Sequence, residues 1–183
     1  MLVNRISNPI LRTIVEWILA LVFAFALFFV VRTFIFRIAS VEGPSMMPTL
    51  QNGDMVFLNR FSYLFIEPQV GDIVAFPNPS NPSQNFIKRI IGSPGDIVDF
   101  RAGMFYLNGE PLNDAFSHET VISFGSVQFP VTVEEGRFFV LGDNRNGSMD
   151  SRHSSVGNVY SSSMIGRVAF RIWPLTSFGR VDG

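Results

Sequence analysis

The sequence predicts a mostly β protein, in which a single N-terminal transmembrane α-helix precedes an antiparallel β domain with a folded-sheet or barrel-like shape. One long apolar run near the N-terminus predicts the helix, and short apolar runs separated by turn residues predict the strands. After residue 40 no stretch keeps a 3.6-residue apolar period, so we expect no long helix there. The predicted parts are a short N-terminal segment at 1–12, an anchor at 13–36 and the β domain at 37–183.

The composition limits the classes of function. Hydrophobic residues make up 47% of the 183 residues, and the mean hydropathy of +0.28 is high for a soluble protein. With 14 Lys and Arg against 15 Asp and Glu, the chain lacks the basic excess typical of nucleic-acid binding. The absence of cysteine excludes disulfides and thiolate chemistry, and His118 and His153 have no metal-ligand spacing. We expect a monomer with no metal, no other cofactor and no nucleic-acid partner.

The anchor is predicted from residues 14–31, in which Glu16 is the one charged residue. Roughly 20 predominantly apolar residues span a bilayer, and Trp17 suits the membrane interface. A cleaved signal peptide would have a shorter apolar core followed by small residues. Because this run continues into RTFIFR at 32–37, the pattern favours a retained anchor.

Turn residues mark the starts of the predicted strands. Gly-Asp pairs at 53–54, 71–72 and 95–96 are each followed directly by a mainly apolar run. Asn108 followed by Gly109 is a strong signal of a type I′ β-hairpin. Further strands are predicted at 86–91, 138–141 and 168–173, a polar, proline-rich loop at 78–83, and an irregular excursion at 113–128.

Ser45 lies just beyond the anchor in a segment that prolines stiffen. Gly43 and Pro44 precede it and Pro48 follows it, and proline restricts both its own φ and the preceding residue. A serine held in this way is a candidate nucleophile, although a plain turn serine has the same local sequence.

A nucleophilic serine needs a base, and the chain offers few. His153 stands among polar residues at 150–153, which is typical of a solvated loop, and Lys88 is the only lysine. Burial must lower a lysine pKa from about 10.4 toward 7 or 8, at a cost of roughly 3 to 4 kcal/mol. Lys88 and Arg89 are adjacent in a predicted strand with two apolar faces, so one of these cations must face packed surface. Alternation leaves open which one, and an edge-strand lysine that reaches water is the other interpretation.

Three segments together resemble the signature boxes of type I signal peptidases. They are SMMPTL at 45–50, KRIIGSPGD at 88–96, and GDNR with SMDSR between 142 and 152. They occur in the order of that family and follow an anchor in the corresponding place. Three multi-residue boxes at compatible spacing are a specific signal, whereas one alone would be weak.

The resemblance implies a Ser/Lys dyad. Ser45 matches the nucleophile, Lys88 the general base, and Ser148 the serine that hydrogen-bonds to the lysine amine and orients it. It also implies two structural ion pairs, Asp143 with Arg89 and Asp150 with Arg152. The first pair would satisfy Arg89 and leave Lys88 facing the apolar site.

The resemblance has one departure, at the position two residues before the nucleophile. Many enterobacterial-type members have a serine there that supplies an oxyanion hydroxyl, and this chain has Gly43. We therefore expect the oxyanion to bind the Ser45 backbone N–H, with Gly43 or a water as second donor. Shallow apolar pockets near Val41, Met46 and Ile87 are implied for small side chains at the −1 and −3 positions of the substrate.

The function implied is that of a membrane-anchored signal peptidase I, which removes N-terminal signal peptides from exported pre-proteins through an acyl-enzyme. Its partners would be pre-proteins and the lipid bilayer. Arg5 and Arg12 before the anchor balance Arg32 and Arg37 after it, so charge leaves the orientation open. The resemblance implies the cell membrane, with the N-terminus inside and the catalytic domain outside. The alternatives are a self-cleaving, repressor-like Ser/Lys peptidase and an inactive tethered β domain that binds partners.

Overall fold

The computed structural model describes residues 8–34, 36–112, 121–122 and 125–181. Two compact units divide the chain, at Met1–Arg37 and Ile38–Gly183. The elements in chain order are α1 (Pro9–Phe34), β1 (Phe36–Ser40), β2 (Met55–Asn59), β3 (Ile73–Asn78), β4 (Asn81–Gly92), β5 (Ile97–Arg101), β6 (Met104–Leu107), β7 (Glu110–Pro111), β8 (Val131–Thr132), β9 (Arg137–Leu141), β10 (Val159–Tyr160), β11 (Gly166–Trp173) and β12 (Gly179–Arg180).

The helix α1 begins with a well-formed N-terminal cap. The backbone N–H of Ile10 donates to the side-chain oxygen of Asn8 at 3.0 Å. Pro9 occupies the first helical position, where no N–H is needed. Residues Pro9–Phe29 have a mean hydropathy of 2.1 and are long enough to cross a membrane. Arg12 neutralises Glu16 through a 2.9 Å ion pair one turn away. The predicted apolar helix is therefore present.

The β domain contains two antiparallel sheets. The larger has eight strands in the order β1-β2-β11-β3-β4-β9-β10, with β12 added beside β11, and the smaller has the order β7-β6-β5-β8. One core cluster packs around Val41, Met46 and Leu50, and a second joins the small sheet to β9 through Val98 and Phe139. The predicted fold class, a helix followed by an antiparallel β domain, is confirmed.

The predicted hairpin turn is confirmed at the position where a positive φ favours glycine. Asn108 and Gly109 have φ values of 54° and 87° and connect β6 to β7, as a type I′ hairpin demands. The polar loop predicted at 78–83 is confirmed only at residues 79–80, which form a turn, because β3 runs to Asn78 and β4 begins at Asn81. The first five residues of β4 are solvent-exposed, so strand pairing continues there without buried apolar side chains. Of the excursion predicted at 113–128, residues 113–120, with His118, and 123–124 lie outside the described residues.

Candidate active site

Ser45 lies in a compact turn that the core holds on both sides. Within the turn, Met47 N–H donates to the Pro44 carbonyl at 3.0 Å and Leu50 N–H donates to the Met46 carbonyl at 2.9 Å. Met46 and Leu50 are fully buried in the first core cluster. The buried side chains of Met46 and Leu50 thus fix the turn to the core and leave Ser45 at the surface of that core.

Lys88 reaches Ser45 from the middle of β4. Its Nζ lies 2.8 Å from Ser45 Oγ, and Nζ also donates to the Ile87 carbonyl at 3.0 Å. Only 2% of Lys88 is exposed, which excludes the interpretation of an edge-strand lysine that reaches water. His153, the alternative base, forms a turn in which its N–H donates to the Asp150 carbonyl at 2.8 Å.

Burial lowers the pKa of Lys88 from 10.5 to about 8, because desolvation penalises the ammonium form. Arg152 adds to this effect by repulsion, whereas the negative charges of Asp150 and Asp143 oppose it. A lysine with this pKa is partly neutral near physiological pH and can accept a proton from a hydroxyl. The Ser45–Lys88 pair therefore has both the distance and the proton affinity of a nucleophile–base pair.

Arg89, the next residue of β4, is buried on the opposite face. Its Nε and Nη2 donate to the two carboxylate oxygens of Asp143, each at 2.9 Å, and its Nη1 donates to the Gly71 carbonyl at 2.8 Å. Thr49 Oγ1 donates to the same carboxylate at 2.6 Å. The expected Asp143–Arg89 contact is thus present as a bidentate pair, and both cations of the strand are buried.

A second bidentate pair holds the segment that carries Ser148. Arg152 donates to Asp150 through Nε at 2.7 Å and Nη2 at 2.8 Å, and Asp150 also accepts the Gly142 N–H at 3.1 Å. Arg152 Nη2 donates to the Arg145 carbonyl at 2.6 Å. The expected Asp150–Arg152 pair is therefore present, and its further bonds hold the loop between Gly142 and Arg152 together.

Ser148 differs from the expectation. Its Oγ is buried and has no hydrogen-bond partner within the described part of the chain, so the expected bond to the lysine amine is not formed. Lys88 Nζ donates to Ser45 Oγ and to the Ile87 carbonyl. Ser148 packs against Gly142, where an added Cβ would lie 2.3 Å from its Oγ and 2.4 Å from the Ser45 carbonyl oxygen. Only glycine fits at position 142.

The oxyanion region has one free backbone donor. Gly43, at φ +82°, donates its N–H to the side-chain oxygen of Asn52 at 2.8 Å and is therefore not available as the second donor. In the described chain no group accepts the Ser45 N–H, which leaves it free for a substrate oxygen. Asn52 was not singled out in the sequence, where an exposed turn asparagine carries no distinguishing signal.

A cleft of about 190 Å³ opens beside the dyad. It is lined by residues 40–46, by residues 85–88 and by Met149, so it contains the expected positions Val41, Met46 and Ile87. β4 pairs with β3 up to Arg89 but with β9 only from Arg89 onward. Among the described residues, the edge at 85–88 opposite β3 therefore lacks a partner strand. Met149 was missed because an exposed loop methionine resembles any surface residue.

Comparison with known proteins identifies the family. The model of the family described as signal peptidase, peptidase S26, matches residues 14–173. Signal peptidase I P of Bacillus subtilis subsp. natto is 33% identical over 169 residues, covering 88% of this chain and 90% of the relative. Signal peptidase IB of Staphylococcus aureus (strain COL) is 34% identical over 182 residues, covering 91% and 93%. Signal peptidase I of Bacillus caldolyticus is 35% identical over 158 residues, covering 80% and 85%.

Among solved structures, a signal peptidase I from Enterococcus faecalis V583 is 36% identical and covers 57% of this chain and 98% of its own, with a TM-score of 0.49. The class that the sequence relatives define is a serine endopeptidase. The chain belongs to the signal peptidase family, peptidase S26, whose members remove signal peptides.

Proposed function

We propose that this chain is a membrane-anchored signal peptidase I, which cleaves N-terminal signal peptides from exported pre-proteins with Ser45 as nucleophile and Lys88 as general base. The observation that carries the proposal is the 2.8 Å distance between Lys88 Nζ and Ser45 Oγ at a buried lysine. A lysine pKa of about 8 makes the amine a competent base without a histidine.

The chemistry proceeds in two proton-balanced stages. Ser45 Oγ attacks the scissile carbonyl carbon while neutral Lys88 accepts the hydroxyl proton, and the Ser45 N–H donates to the developing oxyanion. The lysine then protonates the leaving amine, which departs and leaves an acyl-enzyme on Ser45. Lys88, neutral again, takes a proton from water as that water attacks the ester, and it returns the proton to Ser45 Oγ when the acyl group leaves.

The substrate is proposed to bind as an extended strand in the cleft. The free edge at 85–88 supplies backbone donors and acceptors for strand pairing, and the segment 41–43 lines the same cleft. Val41, Met46 and Ile87 line the cleft with less than a tenth of each residue exposed. Such close walls favour small side chains at the −1 and −3 positions, so cleavage follows a small-x-small sequence.

The proposed location is the cell membrane, with a single span. The segment 13–36 is proposed as the anchor, 1–12 as a short cytoplasmic segment, and 37–183 as the extracytoplasmic peptidase domain. The length and mean hydropathy of Pro9–Phe29 support a span, and the orientation is proposed from the family. We expect a monomer.

The test is processing of a pre-protein supplied in trans to the detergent-solubilised enzyme, with the cut located by mass spectrometry. We expect Ser45→Ala and Lys88→Ala to abolish processing. Ser83→Ala is the matched control, since Ser83 lies on β4 but at its exposed end. Full activity in either dyad variant would refute the mechanism. Failure of the wild-type enzyme to cut in trans would favour a self-cleaving peptidase, and failure of a serine-directed acylating inhibitor to label Ser45 would favour an inactive binding domain.

A further inference from the structure

The carboxylate of Asp143 contacts both the turn that carries Ser45 and the strand that carries Lys88. Its oxygens accept Nε and Nη2 of Arg89, each at 2.9 Å, and the hydroxyl of Thr49 at 2.6 Å. The side chain of Asp143 is 0% exposed. A buried carboxylate with three charge-assisted or hydroxyl donors has a well-defined position.

The two donors belong to the two segments that must be aligned for catalysis. Thr49 lies in the turn that carries Ser45, and Arg89 directly follows Lys88 on β4. Asp143 therefore connects the nucleophile segment to the base strand without touching either reacting atom. Since Asp143 also follows Gly142, which packs on the Ser45 carbonyl, the contact joins all three signature segments.

The bond from the Thr49 hydroxyl to Asp143 is the shortest described side-chain bond between the Ser45 turn and the third segment. The other bonds from the third segment to the turn run from Asn144, whose N–H donates to the Ser45 carbonyl at 3.1 Å and whose Nδ2 donates to the Pro44 carbonyl at 3.2 Å. The Thr49 bond is shorter, at 2.6 Å, and its acceptor is charged. A displacement of about 1 Å between reacting groups can cost on the order of a hundredfold in rate.

We propose that Thr49 is a positioning residue, which keeps Ser45 Oγ within hydrogen-bond distance of Lys88 Nζ by donating its hydroxyl to Asp143. This inference rests on the proposed Ser/Lys mechanism and adds a residue to it. Thr49 does not exchange protons with the substrate. Its hydroxyl fixes the turn, and the ion pair of Asp143 with Arg89 fixes the strand to the same carboxylate.

The experiment compares Thr49→Val, which replaces the hydroxyl by a methyl group, with Thr49→Ser, which keeps it. Steady-state cleavage of a synthetic signal-peptide substrate is measured in detergent with the full chain. We expect kcat of Thr49→Val to fall about 10- to 100-fold with KM changed less than about threefold. We expect Thr49→Ser to stay within about threefold of wild type. Thr49→Ala is a second deletion of the hydroxyl, expected to be as slow as Thr49→Val, and gives the result if Thr49→Val does not fold.

A matched control exists elsewhere in the same domain. The Tyr63 hydroxyl donates to Asp72 at 3.2 Å, and Asp72 pairs with Arg167 at 3.0 Å, so Tyr63→Phe also removes a hydroxyl from a carboxylate–arginine pair. We expect Tyr63→Phe to lower Tm without changing kcat by more than about twofold. A loss of kcat in Tyr63→Phe equal to that in Thr49→Val would show a general effect of stability and overturn the proposal.

Two further results would overturn the positioning role. One is a kcat for the hydroxyl-deleted variants within about twofold of wild type, and the other is a Thr49→Ser as slow as Thr49→Val, since the methyl group would then be what matters. Ser45→Ala and Lys88→Ala are assayed in parallel to separate the two proposals. If those variants remain active, the dyad itself is refuted. If they are inactive and Thr49→Val is fully active, only the role of Thr49 is refuted.

Discussion

Each face of β4 buries one cation, and the two cations have different kinds of partner. Lys88 and Arg89 are adjacent cations, 2% and 0% exposed, and they point to opposite sides of the strand. Arg89 meets both oxygens of the Asp143 carboxylate, whereas Lys88 meets a hydroxyl and a backbone carbonyl. A buried cation with a carboxylate partner keeps its charge, and one without such a partner releases its proton more easily. One strand thereby carries both a paired, charged arginine and a lysine whose pKa is lowered.

The residue types match these two tasks. Guanidinium stays protonated on burial and binds a carboxylate through two parallel hydrogen bonds, while an ammonium group can become a neutral amine. The nearby charges of Asp150 and Asp143 limit the fall in the Lys88 pKa, so it remains near 8. The difference between the two faces predicts how each will respond when its cation or its partner is exchanged.

The largest expected effect on activity follows from Lys88→Arg, which places an arginine on both faces of β4. Guanidinium cannot act as a base at any accessible pH, so we expect kcat/KM for pre-protein cleavage to fall at least about 10³-fold. The measurement is single-turnover cleavage with excess enzyme, together with circular dichroism to establish that the variant is folded. Residual activity above about one tenth of wild type in a folded variant would contradict Lys88 as the base.

Removing the carboxylate from the other face tests the structural ion. Asp143→Asn leaves the Arg89 guanidinium buried without a compensating charge, which we expect to cost about 3 to 5 kcal/mol of unfolding free energy in urea titrations. Asp99→Asn is the control, since its partner Arg101 has a 64% exposed side chain and such pairs contribute less than about 1 kcal/mol. Equal losses in the two variants would show that burial of the pair is unimportant.

Burial of Lys88 should reduce the stability of the protein. A folded-state pKa of about 8 against 10.5 in the unfolded chain corresponds to about 3 kcal/mol of destabilisation at pH 7. Lys88→Met also loses hydrogen bonds worth about 1 kcal/mol, so we expect a net stabilisation of about 2 kcal/mol at pH 7.

The pH dependence of that difference supplies its control. Between pH 8 and 10.5 the unfolded chain binds the lysine proton and the folded chain has lost it, so wild-type stability rises with pH in this window. The advantage of Lys88→Met should therefore disappear by about pH 10.5. A constant advantage at every pH would attribute the effect to packing instead of charge.

The smallest expected effect is on the pH profile of the wild-type enzyme. Only the neutral amine accepts the Ser45 proton, so kcat/KM should rise about tenfold per pH unit below the Lys88 pKa of about 8 and level off above it. The substrate for this measurement has no group that titrates between pH 6 and 9. A midpoint near pH 6.5, the ordinary pKa of histidine, would indicate His153 instead.

Much of the β domain could be predicted because its signals are local. A Gly-Asp turn before an apolar run or an Asn-Gly pair between two runs specifies its own backbone, as the hairpin at Asn108 and Gly109 shows. The loop predicted at 78–83 was too long, because the exposed start of β4 has the same polar composition as a loop. Among lysines, Lys88 was the one candidate for the base, because the chain has no other lysine.

The expectations about hydrogen bonds were less successful. The unpaired Ser148 hydroxyl and the N–H of Gly43, which is donated to Asn52, depend on where single atoms lie in the folded chain. Thr49 was part of a signature box, yet its hydroxyl had no assigned partner in the sequence. An orienting role of Ser148 remains a prediction, because Lys88 donates to other acceptors in this structure.

By itself the sequence predicted the fold class and the apolar helix, because periodicity and turn chemistry are properties of short segments. It pointed to Ser45 and Lys88 only when residue counts were combined with the family resemblance. Strand alternation left open which cation is paired and the resemblance implied Arg89, but only the tertiary structure places the Arg89 guanidinium on Asp143 and the Lys88 amine beside Ser45. Asp143 lies 54 residues from Arg89 and 94 from Thr49 in the chain, yet their polar atoms are 2.9 and 2.6 Å apart. A hydrogen bond needs placement to a few tenths of an ångström, and the packing of sheets and turns that supplies it is not encoded in any local pattern.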